Sequence, residues 1–135
     1  MEKAKTITEE SPFNKITRTG KEVGIITSGI AHTYTAEAVD LLNLDVGILK
    51  LGMTHPLPEN KIVNFLKAHK EIIIIEELEP YLETQIKAIA KDQAPNVKIY
   101  GKTETQYFPN YSELSTRQVI EGLAKILNNK PPIAF

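Results

Sequence analysis

Four consecutive isoleucines, Ile72–Ile75, constrain this chain more than any other feature in it. Successive side chains of a β-strand point to opposite faces, so such a run presents apolar surface on both. That suits a strand inside a sheet covered on both sides, and such sheets are built from parallel strands joined through helices. Val23–Thr27 (VGIIT) and Val46–Leu51 (VGILKL) repeat the pattern, rich in β-branched residues and nearly free of polar alternation. Helical patterns fill the intervals. Ala36–Leu44 carries Ala38, Leu41 and Leu42 on one side, with Thr33 placed as N-cap and Glu37 near the favourable end of the dipole. Pro58 suits the first position of a helix that runs through Ile62, Phe65 and Leu66 and ends near Lys70. Pro80 opens another, with Leu82, Ile86, Ile89 and Ala90 inward, and Val97–Tyr100 is a last short strand. Ser115-x-x-Gln118 matches a capping box and starts a final helix with Val119, Ile120, Leu123, Ile126 and Leu127 apolar; Asn128–Pro132 stops it. Strand and helix alternating at this spacing predict a three-layer α/β/α sandwich around a mainly parallel sheet.

The margins are less regular. Residues 1–13 are polar and without hydrophobic period, and read as a linker or disordered lead-in. The domain is placed at 14–130, and 131–135 as a linker to a following domain. Asn14–Arg18 reads as a short strand closed by Thr19-Gly20-Lys21, and the local pattern would pair it with Val23–Thr27 as a hairpin. A chain of 135 residues is the size of one ordinary domain. The net charge of −1, with acidic and basic residues interspersed, argues against a nucleic-acid binder, which would carry a basic stripe. No apolar stretch is long enough to span a bilayer, so a cytoplasmic protein is expected. There is no cysteine, hence no disulfide, thiol nucleophile, thiolate zinc site or iron–sulfur ligand from this sequence.

In open parallel sheets, ligands bind beyond the carboxyl ends of the strands. Here those ends are Ser28-Gly29, Gly52–His55 (with Thr54), Glu76-Glu77 and Gly101. The turn Ser28-Gly29-Ile30-Ala31-His32 could present amides to an anion, yet it lacks a glycine-rich fingerprint, and a glycine that merely permits the turn is the preferred reading. His32 and His55 could converge with Glu76 on a metal, but no H-x-x-x-H spacing supports this, and packing histidines are preferred. Glu76 and Glu77 point to opposite faces and cannot act as a carboxylate pair. One of them could be buried, raised in pKa and able to serve as an acid; the plainer account is that one faces solvent and the other caps the next helix. With Glu79 and Glu83 close by, a solvated acidic rim around a helix start is the favoured account. Tyr107-Phe108-Pro109-Asn110-Tyr111 sets aromatics among polar residues, as a core excursion or an interface with another domain or subunit would. No nucleophilic triad and no P-loop is present.

Four segments in order resemble the transketolase C-terminal-like domain of indolepyruvate ferredoxin oxidoreductase alpha subunits, within the 2-oxoacid:ferredoxin oxidoreductase family. They are Val23–Tyr34, Leu49–Ile62, Ile72–Ile86 and Tyr111–Leu114, and the resemblance extends from about Ser11 to Pro132. The string EEL-x-P-x-x-E at Glu76–Glu83 is its most specific part. The family would carry an aromatic ring at His32 and His55, and a glycine at Ser112; histidine keeps a planar amphipathic ring, which favours packing at both positions. The resemblance implies a five-stranded mixed sheet with Asn14–Arg18 antiparallel at an edge. It also implies a parent enzyme that oxidatively decarboxylates aryl 2-oxoacids to acyl-CoA, using thiamine diphosphate, magnesium, iron–sulfur clusters and coenzyme A, with ferredoxin as electron acceptor. None of those cofactors is expected in this chain: the family's G-D-G…N diphosphate motif and all cluster cysteines are missing from it. The chain is therefore expected to be an interior, non-catalytic piece of a longer polypeptide, inactive alone, with Met1 not native to it. It would pack against the other domains of its subunit and a second subunit. Ser28, Gly29, His32, Thr54, His55, Glu76 and Glu77 are candidates to border the coenzyme A or substrate entrance, and Tyr107, Phe108 and Tyr111 candidates for the interface. Two other readings stand beside this one. The first is a free-standing module gripping a small anion or a partner protein; the second is the equivalent domain of a dehydrogenase E1 beta chain, against which the EEL-x-P-x-x-E string argues.

Overall fold

The computed structural model describes residues 12–29, 31–52, 57–77, 81–102 and 115–127. Among the described residues five strands form one sheet: β1 (Asn14–Arg18), β2 (Val23–Ser28), β3 (Val46–Leu51), β4 (Glu71–Ile75) and β5 (Lys98–Tyr100). Four helices cover it: α1 (Ala31–Leu42), α2 (Glu59–Lys67), α3 (Tyr81–Gln93) and α4 (Thr116–Leu127). The strand order is β1-β3-β2-β4-β5, parallel throughout except for β1, which runs antiparallel to β3 at the edge. The mixed sheet and its antiparallel edge are as the family resemblance implies. The hairpin between β1 and β2 does not form. After β1 the chain crosses the start of β3 so closely that a methyl group on Gly20 would lie 2.6 Å from Val46 Cα, and β1 and β2 end up flanking β3 instead of each other.

The isoleucine run does what its sequence dictates. Ile73 and Ile75 join Ile25, Val46 and Ile48 beneath α1 and α4, where Ala38, Val39, Val119, Ile120 and Leu123 close the layer. Ile72 and Ile74 join Ile26, Leu49 and Leu51 beneath α2 and α3, against Ile62, Phe65, Leu66, Leu82 and Ile86. A buried aliphatic side chain contributes about 1.5–3 kcal/mol, so these two layers dominate the stability of the fold.

Two helix ends differ from expectation. The first helix begins at Ala31, so Thr33 lies inside it and caps nothing. The Thr-rich first turn is held because the buried Thr35 hydroxyl donates to the Ala31 carbonyl at 2.8 Å. The helix stops at Leu42 because Asn43 turns left-handed, with φ 53°. The Leu44 N–H then donates to Val39 O at 3.1 Å and the Asn43 N–H to Asp40 O at 3.2 Å, which is a Schellman closure. Pro58 stands immediately before α2, not at its first position. At α4 half of the capping box forms: the Gln118 N–H donates to Ser115 Oγ at 3.3 Å, whereas Gln118 Oε1 has no partner among the described residues.

Gly24 and Gly47 are paired in register on β2 and β3. Phe65 and His69 of the α2 segment cover this side-chain-free patch with ring centroids 4.3 Å apart and planes tilted by 45°, and the His69 Nδ1–H donates to the Phe65 carbonyl at 2.7 Å.

Candidate functional site

In this strand order the chain leaves β2 toward β3 on one side and then crosses back to β4 on the other. The reversal puts a topological switch point between β2 and β4, where doubly wound sheets open a crevice beyond the strand ends. Thr27 pairs with Ile75, so Ser28-Gly29 and Glu76-Glu77 leave the sheet side by side at that point. Four of the seven entrance candidates are thus neighbours. Thr54 and His55, like Tyr107, Phe108, Tyr111 and Glu79, lie outside the described residues.

His32 goes elsewhere. Its Nε2 is hydrogen-bonded to Thr17 Oγ1 at 3.1 Å, above β1 and on the α1 face. Burial and the charges of Lys50 and Lys15 hold its pKa below the ordinary value near 6.5. Glu76 lies on the opposite, α3 face, so His32 and Glu76 cannot share a metal ion. Among the described residues no group of three His, Cys, Asp or Glu side chains could hold one. Gly29 has φ 57° and accepts the His32 N–H at 3.2 Å, with open space where a Cβ would stand. Its conformation, not a close approach, is what calls for glycine there.

The acidic rim expected near Glu76 is not solvated. Glu76 and Glu83 are 6% and 1% exposed. Glu76 Oε1 accepts the Leu82 N–H and Oε2 the Glu83 N–H, both at 2.7 Å, so the carboxylate caps α3 from the end of β4. Burial pushes its pKa up, against the opposing pull of those two N–H bonds and of Lys102. Glu83 Oε1 accepts the Lys102 N–H and Oε2 binds Lys87 Nζ, each at 2.6 Å. A methyl group on Gly101 would lie 2.8 Å from Glu83 Cγ and closer still to its carboxyl group, so only glycine lets β5 end against this carboxylate. Lys102 is 1% exposed. Burial lowers its pKa while Glu76, Glu83 and Glu77 act to raise it.

A buried or helix-capping glutamate at the end of β4 was within the sequence reading; the ionic knot that ties it through Glu83 to Lys102 was not. Nothing in the sequence singles out Lys102, and Glu83 reads as part of a solvated acidic rim. The Glu83–Lys87 spacing of four on one helix face was the available signal. Chemically the knot is closed. Both oxygens of each carboxylate already accept hydrogen bonds, so neither is presented to a substrate as acid or base. A cavity of about 520 Å³ lies elsewhere, along β1 and α2, with Ile16, Leu49, Phe65 and His69 in its wall.

The chain matches the family model described as indolepyruvate oxidoreductase domain over residues 14–132. It is 36% identical over 131 residues to an Archaeoglobus fulgidus protein named indolepyruvate oxidoreductase subunit IorA, covering 97% of this chain and 20% of the relative. It is 39% identical over 139 residues to the Pyrococcus abyssi protein of the same name, covering 100% of this chain and 21% of the relative. The chain thus spans about a fifth of the length of these relatives. Among solved structures it superposes on a split-gene transketolase, an inactive β4 tetramer, with TM-score 0.66 and 17% identity over 87% of this chain and 42% of the other. A Magnetococcus marinus 2-oxoglutarate:ferredoxin oxidoreductase, solved with 2-oxoglutarate, coenzyme A and succinyl-CoA bound, gives TM-score 0.61 and 14% identity over 89% and 20%. At those identities the two structures speak for the fold.

Proposed function

Because the chain belongs to the indolepyruvate oxidoreductase domain family, we propose that it is a non-catalytic domain of a thiamine-diphosphate-dependent enzyme that oxidatively decarboxylates aryl 2-oxoacids to acyl-CoA. Ferredoxin takes the electrons, and the parent enzyme works in the cytoplasm. The observation that carries the non-catalytic part is the closed knot: the carboxylates at the switch-point end of β4 and on α3 are consumed in capping α3 and anchoring β5. The donor set does not fit the parent's iron–sulfur clusters, which need thiolates; this sequence contains no cysteine. The clusters therefore belong to other parts of the parent.

The role left to this domain is packing and shaping. The exposed side of β1, where Phe13 and Ile16 are 65% and 56% exposed, supports contact with the remaining domains of the subunit or with a second subunit. Tyr107, Phe108 and Tyr111 supply further contact. Ser28, Gly29 and Glu77, at the switch point, border the entrance taken by coenzyme A or substrate, together with Thr54 and His55.

Calorimetry of the chain with thiamine diphosphate and magnesium, run beside an indolepyruvate oxidation assay, tests the assignment. The expected result is no turnover by the chain alone, with or without thiamine diphosphate. A saturable heat of binding together with turnover by the chain alone would overturn it.

A further inference from the structure

The geometry points to an anion site on the α1 face of the sheet, at the start of α1, where Lys15, Lys50, Thr27 and His32 would hold a phosphate- or pyrophosphate-bearing small molecule. Lys15 is the direct cross-strand partner of Lys50, and Lys50 that of Thr27, so the three side chains form a row on one face. The contact between His32 and Thr17 identifies that face as the one under α1. Like charges directly opposite on neighbouring strands are unfavourable, and neither lysine has an acidic partner among the described residues. The nearby carboxylates are engaged elsewhere: Asp40 with Arg18 at 2.7 Å, Glu37 with the Thr116 hydroxyl at 2.7 Å, and Glu76 on the opposite face. Glu77 is in the field of Lys102.

The row holds a second unmet requirement. Thr27 is 0% exposed and its Oγ1 has no hydrogen-bond partner among the described residues, an arrangement that buried hydroxyls ordinarily avoid. The hydroxyl sits on the α1 side of β2, two residues before the turn at Gly29, where the positive end of the 12-residue α1 dipole also lies. An anion at this position relieves the lysine repulsion, accepts from the Thr27 hydroxyl and meets the helix terminus. Burial, and after it these two lysines, lower the His32 pKa, and an anion beside the ring opposes the lysines' part of that shift. The inference holds whether or not the parent enzyme has the activity proposed above.

Isothermal calorimetry of the full chain with inorganic pyrophosphate, paired with an NMR titration of the His32 ring, tests it. Saturable binding is expected, together with a rise in the His32 titration midpoint. The Lys15→Gln/Lys50→Gln double variant should weaken binding at least about tenfold, as loss of charge-assisted contacts does. Thr27→Val should melt no lower than the parent chain yet bind more weakly; a merely structural threonine would lower the melting temperature and leave affinity unchanged. Adenosine diphosphate as a second ligand separates the sources. Tighter binding than pyrophosphate marks a nucleotide-type ligand, and equal binding a bare phosphate. No saturable binding at millimolar pyrophosphate, or undiminished binding by the lysine double variant, would overturn the site.

Discussion

Gly101→Ala should be among the most damaging single-methyl changes in this chain. The added Cβ would lie 2.8 Å from Glu83 Cγ and nearer to its carboxyl carbon, in a place where Glu83 is 1% exposed and cannot swing into solvent. Moving the carboxylate breaks its hydrogen bond from the Lys102 N–H, and a buried N–H left without an acceptor costs about 1–3 kcal/mol. It also loosens the pair with Lys87. Breaking a fully buried ion pair costs about 3–5 kcal/mol, but Lys87 is 28% exposed and water recovers part of that. Together these suggest about 3 kcal/mol, or on the order of 10 °C in melting temperature for a domain of this size. Urea denaturation followed by circular dichroism reads the difference. The sharper test is a double-mutant cycle: in a Glu83→Ala background the same glycine substitution should cost less than about 1 kcal/mol, because the colliding group is gone. Equal cost in both backgrounds, or a loss under about 0.5 kcal/mol in the parent chain, would refute the reasoning.

Three further outcomes follow from single residues. Asn43 closes α1 at φ 53°, so Asn43→Ala should lose about 1 kcal/mol in thermal melts, whereas Asn43→Gly should hold or gain a few tenths. Gly24→Ala would bring a methyl to 2.6 Å from the Phe65 ring, and the overpacking should cost about 1–3 kcal/mol, visible in urea midpoints without a change in slope. The folded-state pKa of His32 is lowered beneath its ordinary value near 6.5, so between the two values the unfolded chain binds more protons. That contribution to stability is complete above the ordinary value and is lost as pH falls through the window, and His32→Gln should flatten this part of the stability–pH curve.

The layered core was legible because burial on both faces of a strand leaves a short, unbroken, β-branched apolar run bounded by turn residues. VGIIT, VGILKL and IIII lie where their apolar runs put them, and β3 has the boundaries its sequence suggests. Helix starts were less legible. Thr33 has the chemistry of a cap, but a buried threonine can also satisfy its hydroxyl inside a helix, as Thr35 does, and local sequence does not separate the two. The partner of β1 is a long-range choice, decided by how closely Gly20 lets the chain pass β3, and a hairpin pattern carries no record of it. Most of the acid cluster was unreadable for a related reason. Glu83 is buried by the backbone at Gly101 and Lys102, 18 and 19 residues further along, and nothing within its own helix signals that contact beyond the lysine one turn away.

Domain exchange tests the central claim most directly. The matching segment of the Pyrococcus abyssi relative would be replaced by this chain, and indolepyruvate oxidation measured on the purified, assembled enzyme. A chimaera retaining activity to within about tenfold, equivalent to ~1.4 kcal/mol in the barrier, is the predicted result, because a packing domain of the same family should support chemistry carried out elsewhere. A chimaera that assembles and holds its cofactors yet fails to turn over indolepyruvate would contradict the account.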